Sequence, residues 1–174
     1  MRILALDQAS RTTGYSIFED GKLIDYGHFT VSDSDLGVRL MKIRDKLITM
    51  LGQGFDKVYF EDIQLQDDVQ NNVETFKTLA EVYGVIYETL TEYKIPHQSV
   101  LAVSWKAAVG IEGKKRPEQK KNAQKFVKEY YGVSATEDES DAICIGAWAT
   151  GYRAPAKVKR TTKKTVEAGF DWSD

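Results

Sequence analysis

The chain has 174 residues, enough for one globular domain and too few for two large lobes. With 42% hydrophobic and 29% charged residues, and no apolar run near the length of a bilayer crossing, it reads as a soluble protein without a membrane span. The net charge of −2 argues against coating nucleic acid through global charge. Cys144 stands alone, which rules out an internal disulfide and a cysteine-based zinc site. The opening MRILALD lacks the apolar core and cleavage site of a secretion signal, so the chain is expected in a reducing cytoplasm. The charge is unevenly spread. From Lys106 to Lys128 there are eight Lys or Arg against two Glu, whereas acids crowd segments 19–35, 61–92 and 137–141. Such clusters are often solvated helix faces, but they also suit a protein that holds phosphate with one and a metal with the other.

The first strand is apolar and ends at Asp7. Thr13 to Phe18 reads as a second strand and Lys22 to Thr30 as a third, with the hairpin signal Glu19-Asp20-Gly21 between them. Ser34 or Asp35 caps a helix with apolar residues at Leu36, Leu40, Ile43, Leu47, Ile48 and Leu51, ended by Gly52 and Gly54. Lys57 to Glu61 is a strand entered after a helix and so parallel to the first. A long amphipathic helix follows over 71–93, then a short strand over 96–103. A Lys-rich helix spans 118–131 and a last apolar helix 141–152. The order predicts an α/β domain over 1–152, with three antiparallel strands, then parallel strands, flanked by helices. Residues 153–174, rich in Lys, Thr and Pro, are expected to form a flexible basic tail.

Four carboxylates stand where such a sheet places ligand sites. Asp7 and Glu61 end strands, and Asp138 and Asp141 share a face at the start of the last helix. Taken singly, Asp138 fits a helix N-cap and Glu61 a solvated strand end. Together they point to a cation, because close carboxylates repel unless a positive charge joins them. An all-oxygen set suits Mg²⁺ or Mn²⁺ rather than zinc. His28 and His97 are read as structural.

The run ILALDQASRTTGYSIF resembles the first motif of the RuvC family of Holliday-junction resolvases, members of the RNase H-like fold. VYFED is similar to that family's second acidic strand end, and DESDA to its Asp-x-x-Asp at the head of the last helix. The resemblance implies an RNase H-like mixed sheet and two Mg²⁺ ions, replaceable by Mn²⁺, on Asp7, Glu61, Asp138 and Asp141. It implies hydrolysis of a phosphodiester to a 5′-phosphate and a 3′-hydroxyl. Two ions about 4 Å apart clamp the attacking and leaving oxygens of such a displacement. No small-molecule cofactor is implied. Paired nicks on a four-way DNA junction imply a two-fold homodimer, with the stripe Val73 to Leu90 of the long helix shared between core and partner.

By the same resemblance Lys106 and Lys120 join the catalytic set near the scissile phosphate, with Lys121 the alternative to Lys120 because GKKR lengthens the segment between them. Lys114, Lys115 and Arg116 are read as contacts to the DNA backbone, and Ser10 and Arg11 as further phosphate contacts in the turn after Asp7. Where junction resolvases of this type carry a stacking aromatic, this chain has Gln64 and Leu65. An aliphatic wedge forgoes stacking of about 1–3 kcal/mol per base, which predicts relaxed structure or sequence selectivity. A small resolvase with that change and a basic tail would suit a bacteriophage, acting in the host cytoplasm. The rivals are an RNA-processing nuclease of the same fold and a non-catalytic branched-DNA-binding module. Sugar kinases and actin-like ATPases, which share the Asp-led first turn, need a second lobe that 174 residues do not supply.

Overall fold

The computed structural model describes residues 1–64 and 69–155. In chain order the elements are β1 (Arg2–Asp7), β2 (Thr12–Glu19), β3 (Lys22–Thr30), α1 (Leu36–Leu51), β4 (Lys57–Glu61), α2 (Val69–Glu92), β5 (His97–Val100), α3 (Ala102–Val109), α4 (Arg116–Tyr131) and α5 (Glu137–Ala149). They form one five-stranded sheet in the order β3-β2-β1-β4-β5. The first three strands are an antiparallel meander, and β4 and β5 add parallel to β1. This is the mixed sheet that the strand order predicts.

Successive side chains on a strand point to opposite faces, and the sheet is covered on both. Leu4, Leu6, Ile17, Val58 and Phe60 bury one face against α1 and α2, through Ile43 and Leu47 and through Val82, Ile86 and Leu90. Ile3, Ala5, Phe18 and Tyr59 bury the other against α3, α4 and α5, through Trp105, Val127, Ile143 and Ile145. The same alternation sends Asp7 to the face of Ile3 and Ala5, and Glu61 to the face of Tyr59. Both acids therefore look toward α5. The pairing of Leu6 with Phe60 leaves them side by side on neighbouring parallel strands.

Several boundaries differ from the sequence reading. The expected strand 96–103 is a four-residue strand followed by a two-turn helix, α3, which carries Lys106. The short helix has little periodicity of its own and begins at Leu101 without a side-chain cap. The last helix begins at Glu137, not Asp141, and the long and Lys-rich helices begin at Val69 and Arg116. Asp138 is not the N-cap of the last helix. Thr136 is, through a capping box in which its side chain accepts from Glu139 N and the Glu139 carboxylate accepts from Thr136 N. For the first helix the cap is Asp35, which accepts from Val38 N at 2.9 Å. Among the described residues no helix is long and apolar enough to cross a membrane. The tail beyond Pro155 and the Leu65 position lie outside the described residues.

Candidate active site

Two close approaches bring α5 onto the sheet beside Asp7. Gly14 lies opposite Asp7 in the β1–β2 ladder, and a Cβ there would sit 2.1 Å from the Asp138 carbonyl oxygen. Further along, a Cβ on Gly146 would meet the Phe18 ring at 2.3 Å. Between them the buried Ser16 hydroxyl donates to the Ala142 carbonyl at 2.7 Å. Because Thr136 and Glu139 satisfy the helix start, Asp138 and Asp141 are spared capping and face the strand ends. His28 reinforces that start, its Nδ1 lying 2.7 Å from Glu139 Oε1.

The four predicted acids meet in one cleft of about 580 Å³, with Asp7 and Glu61 on the sheet side and Asp138 and Asp141 on the helix side. Lys120, at the start of the second turn of α4, reaches among them. Its Nζ lies 2.5 Å from Asp141 Oδ2, 3.8 Å from Asp138 Oδ1 and 3.9 Å from Asp7 Oδ2. The alternative, Lys121, is exposed and does not line the cleft. Lys106 does line it, and its Nζ donates to Gln119 Oε1 at 3.1 Å while lying 5.1 Å from the centre of the Trp105 ring. Arg116 and Gln64 also border the opening. Lys114 and Lys115 are exposed on the approach to α4. Ser10 and Arg11 are not in the lining, and Arg11 is exposed on the turn after Asp7.

The electrostatics are those of acids short of positive charge. Burial, then the neighbouring carboxylates of Asp141 and Glu61, push Asp7 well above the ordinary carboxylate range. Burial also raises Glu61, against the pull of its bond from Trp105, and raises Asp141, against the pull of Lys120. Burial works to lower Lys120, but Asp141 and Asp7 outweigh it and hold the ammonium above its usual value. Asp141 Oδ1 is buried without a hydrogen-bond partner, a cost rarely left standing in a folded protein. Among the described residues no group of three or more acid, histidine or cysteine side chains is already arranged to hold a metal ion. Three of the acids converge on the Lys120 ammonium instead.

Three residues that hold the cleft's side chains escaped the sequence reading, Gln8 and Gln119 in its lining and Trp105 buried behind it. Gln8 bonds the Glu61 peptide at both its N–H and its C=O, Trp105 Nε1 donates to Glu61 Oε2 at 2.9 Å, and Gln119 holds Lys106. For Gln8 and Trp105 the partner lies 53 and 44 residues away in sequence, and no local pattern announces such pairs. His28 and His97 do not line the cleft; His97 Nδ1 lies 2.8 Å from the Ile95 carbonyl.

No family model matches the chain. It is 31% identical over 153 residues to a crossover junction endodeoxyribonuclease RuvC of Pelobacter propionicus, covering 83% of each chain. To the protein of the same name from Caldicellulosiruptor saccharolyticus it is 26% identical over 156 residues, covering 83% of this chain and 89% of the other. Its fold is similar to that of T. thermophilus RuvC in complex with a Holliday junction substrate, with a TM-score of 0.68 and 14% identity over 90% of this chain and 100% of that one. A Fowlpox virus resolvase in complex with Holliday junction DNA superposes with a TM-score of 0.60 and 12% identity, over 86% and 97% of the two chains.

Proposed function

Because the chain belongs to the RuvC family of crossover junction endodeoxyribonucleases, we propose that it nicks branched DNA, resolving four-way junctions by paired, symmetric phosphodiester hydrolysis. The observation that carries this reading is the meeting of Asp7, Glu61, Asp138 and Asp141 in one open cleft, three of them around the Lys120 ammonium. The orphaned Asp141 Oδ1 and the raised carboxyls of Asp7, Glu61 and Asp141 fit an all-oxygen site for divalent cations. Two Mg²⁺ ions, with Mn²⁺ able to substitute, would be held by the four acids. When bound they would activate water and offset charge on the phosphodiester oxygens.

The chain's own residues do the rest. The carboxylates fix where a phosphodiester can lie, at the C-terminal ends of β1 and β4 and the start of α5. Lys106 and Lys120 flank them and supply positive charge for the phosphate and for charge that develops on it in the transition state. The ends left are a 5′-phosphate and a 3′-hydroxyl. Lys114, Lys115, Lys121 and Arg116 extend the positive edge along the DNA backbone, and Ser10 and Arg11 meet it on the far side of the acids. Gln64, at the cleft border, and Leu65, next in the sequence, stand in place of a stacking aromatic, so junction selectivity is relaxed. Two nicks require two copies. Val82, Ile86 and Leu90 of α2 are spent on the core, whereas Val73 and Tyr87 stay exposed for a second copy. The protein acts where its DNA lies, in the cytoplasm.

The test is incubation with a labelled four-way junction, a linear duplex and a structured RNA, in Mg²⁺ or in EDTA. Junction nicking is expected in Mg²⁺ alone, lost in Asp7→Asn, with both strands of one junction cut in a single binding event. RNA cleavage would favour an RNA-processing nuclease, and tight binding of an intact junction a non-catalytic module.

A further inference from the structure

Glu61 is the acid of the site least determined by its backbone. It has one more rotatable bond than Asp7, Asp138 or Asp141, and it ends β4, where the sheet stops. Two buried side chains of no catalytic chemistry restrain it. Gln8, 7% exposed, follows the last residue of β1. Its Oε1 accepts from Glu61 N at 3.1 Å and its Nε2 donates to the Glu61 carbonyl at 2.5 Å. An opposed residue in an antiparallel hydrogen-bonded pair exchanges the same two bonds, so a side-chain amide extends the sheet where β1 has ended. On the other side Glu61 pairs with Val100 of β5. Trp105, fully buried, then takes the carboxylate itself, its donor-only Nε1–H meeting Oε2 at 2.9 Å. The other carboxylate oxygen has no donor among the described residues. The Trp105 ring also lies under Lys106 Nζ, so one side chain sets the place of an acid and of a base.

We propose that Gln8 and Trp105 are positioning residues, which clamp the peptide and one carboxylate oxygen of Glu61 so that the other oxygen is presented to a divalent cation. The inference rests on the reading of Glu61 as a metal ligand. Groups that orient a ligand from behind matter because losing one typically weakens metal binding about 10–100-fold, and a misplacement of about 1 Å can cost roughly 100-fold in rate.

The experiment is titration of the full chain with Mn²⁺, reading the free ion by electron paramagnetic resonance, alongside thermal melting in EDTA. Gln8→Met keeps the volume and removes both bonds; Trp105→Phe keeps a ring and removes the donor. Each is expected to raise the Mn²⁺ concentration for half-saturation about 10-fold or more, with junction binding in EDTA unchanged. Lower melting with Mn²⁺ binding like that of the unaltered chain would overturn the proposal, because the contacts would then serve the fold alone. If Trp105→Phe does not fold, Gln8→Met decides by itself. Glu61→Gln separates the two levels: if it too binds Mn²⁺ like the unaltered chain, the ligand role of Glu61 fails, and the clamp with it.

Discussion

Burial and the carboxylates of Asp141 and Glu61 push the Asp7 carboxyl well above its ordinary range, and Lys120 pulls it back only in part. Asp7, Glu61 and Asp141 therefore hold a proton more tightly in the folded chain than in the unfolded one. In the absence of metal, the folded state then gains stability from these groups at acid pH. It loses that gain as pH rises from the ordinary values of 3.8 and 4.5 into the raised range. Lys120 does not offset this change. Its raised value keeps its contribution constant below 10.5 and lets it fall only above. Asp7→Asn removes the most strongly opposed charge. In EDTA at pH 7 it is expected to melt about 2–4 °C above the unaltered chain, the equivalent of roughly 1 kcal/mol for a chain this size, while nicking is lost. The difference should shrink toward pH 4, which calorimetry at the two pH values would read. A variant that melts lower at pH 7 would mean that Asp7 gains more from Lys120 than burial takes away.

The start of α5 carries two of the four acids, and its seat on the sheet depends on a missing side chain. A methyl at Gly14 would lie 2.1 Å from the Asp138 carbonyl, a contact that backbone cannot absorb without moving. Gly14→Ala is expected to cost about 1–3 kcal/mol, as overpacking does, and to lower nicking by more than that loss explains, because the first turn of α5 shifts away from Asp7. Melting and single-turnover cleavage on one preparation would separate the two; cleavage that tracks the folded fraction would refute the seat. At this scale much was legible from the residues. The meander, the parallel β4 and the four acids follow from alternation, turn signals and strand ends. Thr136-Glu137-Asp138-Glu139 even carries the capping box that fixes where α5 begins, in the Thr and the Glu three residues on. The helix was nonetheless expected four residues later, because the apolar run starts only at Ala142, and a cap weighs less to the eye than a stripe. The α3 helix was not legible, since two turns without a capping side chain hold no period to detect. Gln8 and Trp105 were not legible either, because their roles exist only once β1, β4 and α3 have been brought together.

The whole molecule carries a net charge of −2 yet presents a basic edge to its cleft. Lys114 and Lys115 are exposed on the segment that leads into α4, and the helix that follows delivers Lys120 to the acids. Positive charge thus runs from open solvent to the carboxylates along one continuous stretch of chain. Charges of this kind bind by displacing counterions from the DNA, so affinity falls linearly with the logarithm of salt, with a slope of about 0.9 for each phosphate neutralised. Contacts to phosphate carry no sequence information and do not distinguish a junction from a duplex. Lys114→Ala with Lys115→Ala is therefore expected to lower the salt slope by about 1.8 and to weaken junction and linear duplex in equal proportion. Fluorescence anisotropy in EDTA across a salt series would read both quantities. An unchanged slope would remove these lysines from the DNA surface, and a loss confined to the junction would mean that they read its branched shape. A junction-to-duplex ratio that survives the double substitution would leave discrimination to residues other than these two lysines, Gln64 at the cleft border among the candidates.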